Sequence, residues 1–438
     1  MARATPRRST MFRLLKAMLG IAIHILVSSI HAVDSTNVHS FSELEQYINS
    51  GSSSYFVAAE DITFPHVLEM YHGRTVSIES AIGATFSGGN TTQLFYVDQS
   101  KLSLRSLTLA HGYCEMCFGG AITVRRGELT LKSVIISACQ AQTGGAIYAI
   151  GSIVVTKECV LTANVADGSG NTSQGGAIVA MASSIIAADC TLTANSAAGA
   201  GGAIFLERRS TINTTKCVFS SNSAGGSGGV VATSGASVTA TDCTMIRNFA
   251  SAGGVLHASG EAVVSASACT MTSNSASFGG AVCSTDQSSI TATKCEMANN
   301  RGRERGGAVY AEQGSTVVIA AECVMRSNSA LAGGAIYARD EATFVSAVDC
   351  TMASNSADSG GTFHTQGWSF CVRNATLTAT NCTLSSNLLV PHTRLHRPGH
   401  HKLPRDVELC SSLRWCGLLR RQVHRLRDQL YTCIELCQ

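Results

Sequence analysis

The sequence predicts an all-β solenoid, a parallel β-helix, and three observations carry that expectation. A cysteine-anchored motif recurs, as "CTLTANSAAGAGGAI" from Cys190, "CTMTSNSASFGGAV" from Cys269 and "CVMRSNSALAGGAI" from Cys323. Around it, apolar residues alternate with period two, the spacing of a strand. The composition, with 41 Gly, 14% charged and 6% aromatic residues, is poor in the large side chains that fill a globular core. It suits backbone pairing and small stacked residues.

The cysteines at 139, 159, 190, 217, 243, 269, 295, 323, 350 and 382 lie 20, 31, 27, 26, 26, 26, 28, 27 and 32 residues apart. A period near 26 means an array of structural repeats. In nearly every copy an apolar residue stands two after the cysteine and an asparagine five after, as in Met271/Asn274 and Met325/Asn328. A Gly-Gly pair follows and opens an apolar run such as "GGAIYA" or "GGAVYA". The second residue after that pair is always apolar, from Ile122 to Phe363, and the one two further on is small or apolar, so both face inward. A second strand, rich in Val, Ile and Thr, runs up to the cysteine. An inward apolar residue five before the cysteine, such as Val264 or Ile290, is out of phase with it, which implies a bend between them. The cysteine and the apolar residue after it then form a third short strand. The polar position before the cysteine, such as Asp242 or Lys294, faces out.

Three short strands per 26 residues make one coil, and about eleven coils give a rod on the order of 50 Å long at ~4.8 Å per coil. Like positions become neighbours, so the asparagine at a fixed turn is expected to hydrogen-bond its counterparts as an amide ladder. The glycines supply turn conformations closed to other residues.

The motif Phe/Leu/Met-x-x-Asn followed by Gly-Gly-Ala-Ile/Val resembles the repeat of the polymorphic outer-membrane proteins, within the pectin-lyase-like right-handed β-helix superfamily. The resemblance covers roughly 104–387; only "FSSN" at 219–222 carries the family's phenylalanine, Leu or Met replacing it elsewhere. It implies a right-handed helix and a secreted or surface-displayed, often adhesive, passenger. Members of that family also carry a carboxy-terminal membrane barrel, for which the 51 residues after Asn387 are too few, so no barrel of the chain's own is expected.

The ends read differently. Residues 1–32 have the form of a secretory signal, with Arg3, Arg7, Arg8, Arg13 and Lys16 ahead of "MLGIAIHILVSSI" and a cleavage point after Ala32; an uncleaved anchor is the alternative. Residues 33–103 are expected to hold a cap and the first strands, with "FSELEQYINS" as a short amphipathic helix over the open end of the sheet. Residues 388–438 form an irregular Arg/His-rich tail, expected to be disordered. The tail carries nine basic and four acidic residues and 1–35 five and one, which leaves 18 basic and 24 acidic residues between them. A mildly acidic rod is not a nucleic-acid footprint. Sequons begin at Asn90, Asn171, Asn213, Asn374 and Asn381 and would be glycosylated in a eukaryotic secretory route.

For chemistry, the cysteine ladder reads as a buried file of thiols rather than as disulfides or a metal site. "CEMC" at Cys114–Cys117 has metal or redox spacing with no second such pair, and a local disulfide fits as well. The column between the two inward positions after Gly-Gly reads Thr123, Tyr148, Val179, Phe205, Ala232, His257, Cys283, Tyr310, Tyr337, His364. Alternation makes it outward-facing. Tyr148, Phe205, His257, Tyr310, Tyr337 and His364 are therefore the candidate ligand-binding residues, a platform for stacking sugar rings; aromatic stacking that merely stabilises the sheet is the alternative. Glu322 and Asp349, adjacent in the column before the cysteine, are the best carboxylate pair for a catalytic or calcium site. No phosphate loop, nucleophile elbow or calcium repeat stands out, so no cofactor or metal is expected. The leading expectation is a secreted or cell-surface binding protein, adhesin-like and non-catalytic, with a polysaccharide or surface glycan as partner. The alternative is a polysaccharide lyase, hydrolase or epimerase on the same scaffold.

Overall fold

One period of the sequence closes one turn of backbone. In a computed structural model, which describes residues 36–50, 54–168, 173–340, 343–358, 370–373, 376–385 and 388–390, the turn beginning at Leu256 has strands Leu256–Ser259, Val263–Ser267, Thr270–Thr272 and Ser275–Phe278 before Gly279 and Gly280 return the chain to its start one level along. Each strand pairs in parallel with its counterparts a period away. Leu256 sits between Val231 and Val282, Val264 between Val238 and Ile290, and Met271 between Met245 and Met297. The three long faces carry 14, 13 and 12 strands. They exceed the eleven repeats because 54–103 is already coiled: Ser54–Ala58 pairs with Thr75–Glu79, and that strand with Lys101–Arg105. At the other end Leu388–Val390 still pairs with Ser356–Asp358, so the solenoid runs past 387; the rest of the tail, the signal segment and His364 lie outside the described residues.

The expected three strands per coil are four. A short strand follows every ladder asparagine but Asn248, such as Ser196–Ala197 or Ser223–Ala224, and with Tyr113–Phe118 and Gln140–Thr143 these stack as two five-stranded sheets, between which Phe249 bridges Ser223 and Ser275. Two residues of Ser and Ala carry no readable alternation, so this face is silent in the sequence.

The bend before the cysteine is real. The residue there adopts the left-handed conformation without being glycine, at φ +53° in Asp242 and +54° in Lys294, and a second such corner precedes the asparagine, at Arg247 and Ser273. Each corner costs on the order of 1 kcal/mol. The ladder runs on through it: the Asp242 amide donates to Ser267 O (3.0 Å) and that of Arg247 to Thr272 O (3.2 Å). The two glycines have different reasons. Gly279 needs φ +63°, whereas a Cβ on Gly280 would overlap the Gly307 carbonyl of the next coil.

The core is the inward set of three faces, one continuous cluster from Val38 to Met352. At the amino-terminal end a helix over Phe41–Asn49, capped by Ser40 Oγ accepting from the Glu43 amide, adds Phe41, Leu44 and Ile48 to that core. Phe41 meets Phe64 edge-on with ring centres 5.0 Å apart.

The amide ladder is present and complete from Asn164 to Asn355. Asn274 is typical. Its Oδ1 accepts from both the Asn248 amide N–H (2.9 Å) and Asn248 Nδ2 (3.0 Å), while its Nδ2 donates to Met245 O and to Asn300 Oδ1, each at 3.0 Å. A buried amide used this fully is satisfied only when its neighbours stand in register. Replacing Asn274 with Ala orphans the Asn248 backbone and side-chain amides, and should cost about 3 kcal/mol in urea unfolding. The outward Thr270→Ala should cost less than about 0.5 kcal/mol. Equal midpoints for the two variants would show that the ladder does not hold the coils.

Candidate functional site

The strand after each Gly-Gly places the aromatic column in register as expected: Thr123, Tyr148, Val179, Phe205, Ala232, His257, Cys283, Tyr310 and Tyr337 are successive Cα partners. The partner of Tyr337 on the next coil is Cys371, not His364. The rings of Tyr310 and Tyr337 stack at 5.5 Å, only 9° from parallel.

The expectation that this column is exposed is wrong. It points away from the main core, yet Tyr148 and Phe205 are 8% exposed, Tyr337 5% and Tyr310 3%; His257 is half-buried. The fourth strand folds over them. Phe118 stacks on Tyr148 (4.6 Å), Phe278 lies 5.3 Å from Tyr310, and Ala200, Ala252 and Ala332 fill between, making two small apolar clusters beside the core. Alternation tells which side of a strand a residue takes, not whether another strand covers that side. No open sugar-stacking platform remains along the described column. Burial pushes the Tyr148 and Tyr310 hydroxyls up, the latter helped by its bond to Glu312, and pushes His257 down to about 4 against the pull of Asp286.

What lies open over the column is a set of residues that the sequence reading passed over. The fourth-face strand Arg301–Arg305, "RGRER", stands where neighbouring coils have "SASF" and "SALA". It is irregular on both sides, with register shifts between Ala276 and Phe278 and between Gly302 and Arg305. The Arg303 guanidinium lies 5.1 Å over the Phe249 ring; that of Arg305 is 5.9 Å from the Phe278 ring and 5.3 Å from Tyr337. Such contacts hold a guanidinium in place without neutralising it. The nearby Glu312 is already engaged, accepting from Tyr310 Oη (2.5 Å) and Arg339 Nε (2.5 Å). Among the described residues Arg301, Arg303 and Arg305 have no carboxylate partner. Three arginines within five residues of an acidic rod were the signal available.

The other candidates do not assemble into a site. Glu322 and Asp349 are adjacent, the Glu322 amide donating to Asp349 O (3.1 Å), but both stand at exposed left-handed corners with no groove between them. No group of three or more His, Cys, Asp or Glu among the described residues is placed to hold a metal ion. A shallow cleft is lined by Lys101 and Arg126, whose charges are paired with Glu128 and Asp98. Cys114 and Cys117 form a disulfide. The ladder cysteines from Cys159 to Cys350 are free and buried, each thiol donating to a backbone carbonyl, as Cys269 Sγ does to Ser267 O (3.3 Å). Cys139, expected in the same file, stands instead at the head of the asparagine file, its amide donating to Asn164 Oδ1 (3.1 Å), and Val134 takes the cysteine level; burial pushes the Cys139 thiol up to about 12. Over the four coils from Thr211 to Thr293 the second face is uncharged, with Ser or Thr at ten of twelve outward positions.

A family model described as a right-handed beta helix region matches residues 75–265. With the all-parallel coils, this makes the chain a right-handed parallel β-helix. No curated protein matches it. Among solved structures it is similar to the SRRP of L. reuteri 53608, at 9% identity over 80% of this chain and 99% of that one, with a TM-score of 0.24.

Two outcomes follow from the burial. Iodoacetamide should leave Cys139 to Cys350 unlabelled in the native protein and label them in guanidinium, read by peptide mass mapping; native labelling would mean that the file is open. Tyr337→Ala, which removes a ring packed between Tyr310 and Arg305, should lower stability by roughly 3 kcal/mol. A neutral effect on the melting curve would put that ring back in solvent.

Proposed function

We propose that this protein is a secreted or cell-surface binding rod, non-catalytic and adhesin-like, whose ligand is a glycan. One observation carries the choice of binding over catalysis: where the outer face departs from the repeat, at Arg301–Arg305, it gathers cations upon aromatic rings and brings no pair of carboxylates together. A lyase or hydrolase on such a scaffold needs a carboxylate pair, or a base beside a metal, at the cleaved bond. An uncharged hydroxyl face four coils long and a stack of self-similar coils suit adhesion over an extended surface. The signal-like residues 1–32, the Cys114–Cys117 disulfide and the likeness of the repeat to polymorphic outer-membrane proteins support placement outside the cytoplasm.

The full chain should be retained on one or more immobilised polysaccharides while releasing neither unsaturated nor reducing ends over many hours. Glu322→Gln with Asp349→Asn should leave retention unchanged. Product release that this double variant abolished would replace the binding reading with an enzymatic one.

A further inference from the structure

The bulged strand Arg301–Arg305 has the features of a built anion site. We infer that it is the point at which the rod grips its glycan, and that this glycan is an anionic polysaccharide, bearing carboxylate or sulfate groups; the inference rests on the glycan-binding reading above and narrows it.

Charge comes first. The chain between residues 36 and 387 has 18 basic and 24 acidic residues, so three arginines in five positions run against the local balance. On the described rod Arg301, Arg303 and Arg305 face no carboxylate within salt-bridge distance; other cations without such a partner, such as Lys216, Arg247 and Lys294, stand singly at corners of the coil, whereas these three share one strand. Glu304 lies among them in sequence without pairing to them, leaving an excess of two positive charges. Position comes second. Arg303 on Phe249, and Arg305 between Phe278 and Tyr337, are held by ring faces, so little side-chain freedom is left to lose when a ligand arrives. A planar guanidinium held that way keeps its charge and its paired N–H donors, the geometry that matches a carboxylate or sulfate; Arg301 and Arg303 are exposed, and Arg305 is half-buried beside the Tyr310 hydroxyl. The floor comes third. Adjacent coils contribute the uncharged strands Ser275–Phe278 and Ser329–Ala332, with Phe249 36% and Leu331 45% exposed, an apolar and hydroxyl surface against which a sugar ring can lie.

Duplex nucleic acid fits poorly. Its affinity depends on several phosphate contacts made together, and three arginines on an otherwise acidic body supply too few.

The test uses the full chain on immobilised polygalacturonate, carrageenan, chitin oligosaccharide and double-stranded DNA, with R301Q/R303Q/R305Q, the matched R301K/R303K/R305K, and K216Q/K294Q as a charge control on another exposed corner. Thermal melts check that each variant is folded. Expected is salt-dependent binding to polygalacturonate, carrageenan or both, weakened about tenfold or more by the Gln triple. The Lys triple, which keeps charge and loses the planar fork, should fall between, and the control should match wild type. Three results overturn the inference while leaving a binding rod in place: retention on chitin oligosaccharide alone, anionic binding that the folded Gln triple leaves unchanged, or DNA bound as tightly as the polysaccharides. No retention on any glycan overturns both readings.

Discussion

In-register pairing of each coil with the next is the constraint on which everything else depends. Parallel hydrogen bonds run along all the faces, and through both left-handed corners, so a residue at one level is forced against its counterpart about 4.8 Å away. Once that holds, side chains are selected for how well they stack on themselves. Asparagine can accept from one neighbour while donating to the other, and from Asn164 to Asn355 it does so at every level. Small thiols, glycines and β-branched residues fill the remaining files for the same reason.

The same constraint decides where chemistry can be placed. Inward positions are committed to the core, and the corners before the cysteines carry charges spread along the rod. A functional site on such a scaffold must come from a departure at one or two levels. Arg301–Arg305 is such a departure, and it is tolerated because the fourth face is short and bulged there, so extra backbone bends outward without breaking the three long sheets. Gly302 is what lets the backbone turn back so sharply; a Cβ on it would overlap the Gly306 carbonyl.

Much of the fold was legible because repetition amplifies weak signals. One "GGAIYA" says little, but ten Gly-Gly pairs, eight of them each following an asparagine of the file, set the period, the inward positions, the amide ladder and the bend before the cysteine. The aromatic column was legible in its register and misread in its exposure, since the strands that bury Tyr148 and Tyr310 are short, irregular and unlike one another, with Phe118 and Phe278 as single unrepeated rings among small and polar residues. The arginine strand was overlooked because it is not repeated: a search tuned to periodic columns is blind to the one level that breaks them.

The amino-acid sequence by itself determined that this chain is a stack of coils and which residues meet along it, because identity at equivalent positions is itself the contact map of a solenoid. Only the tertiary structure decided which outward side chains see solvent. That depends on how the fourth strand folds over the strand after Gly-Gly, a relation between two faces rather than between equivalent levels, and such packing leaves no periodic trace in the chain.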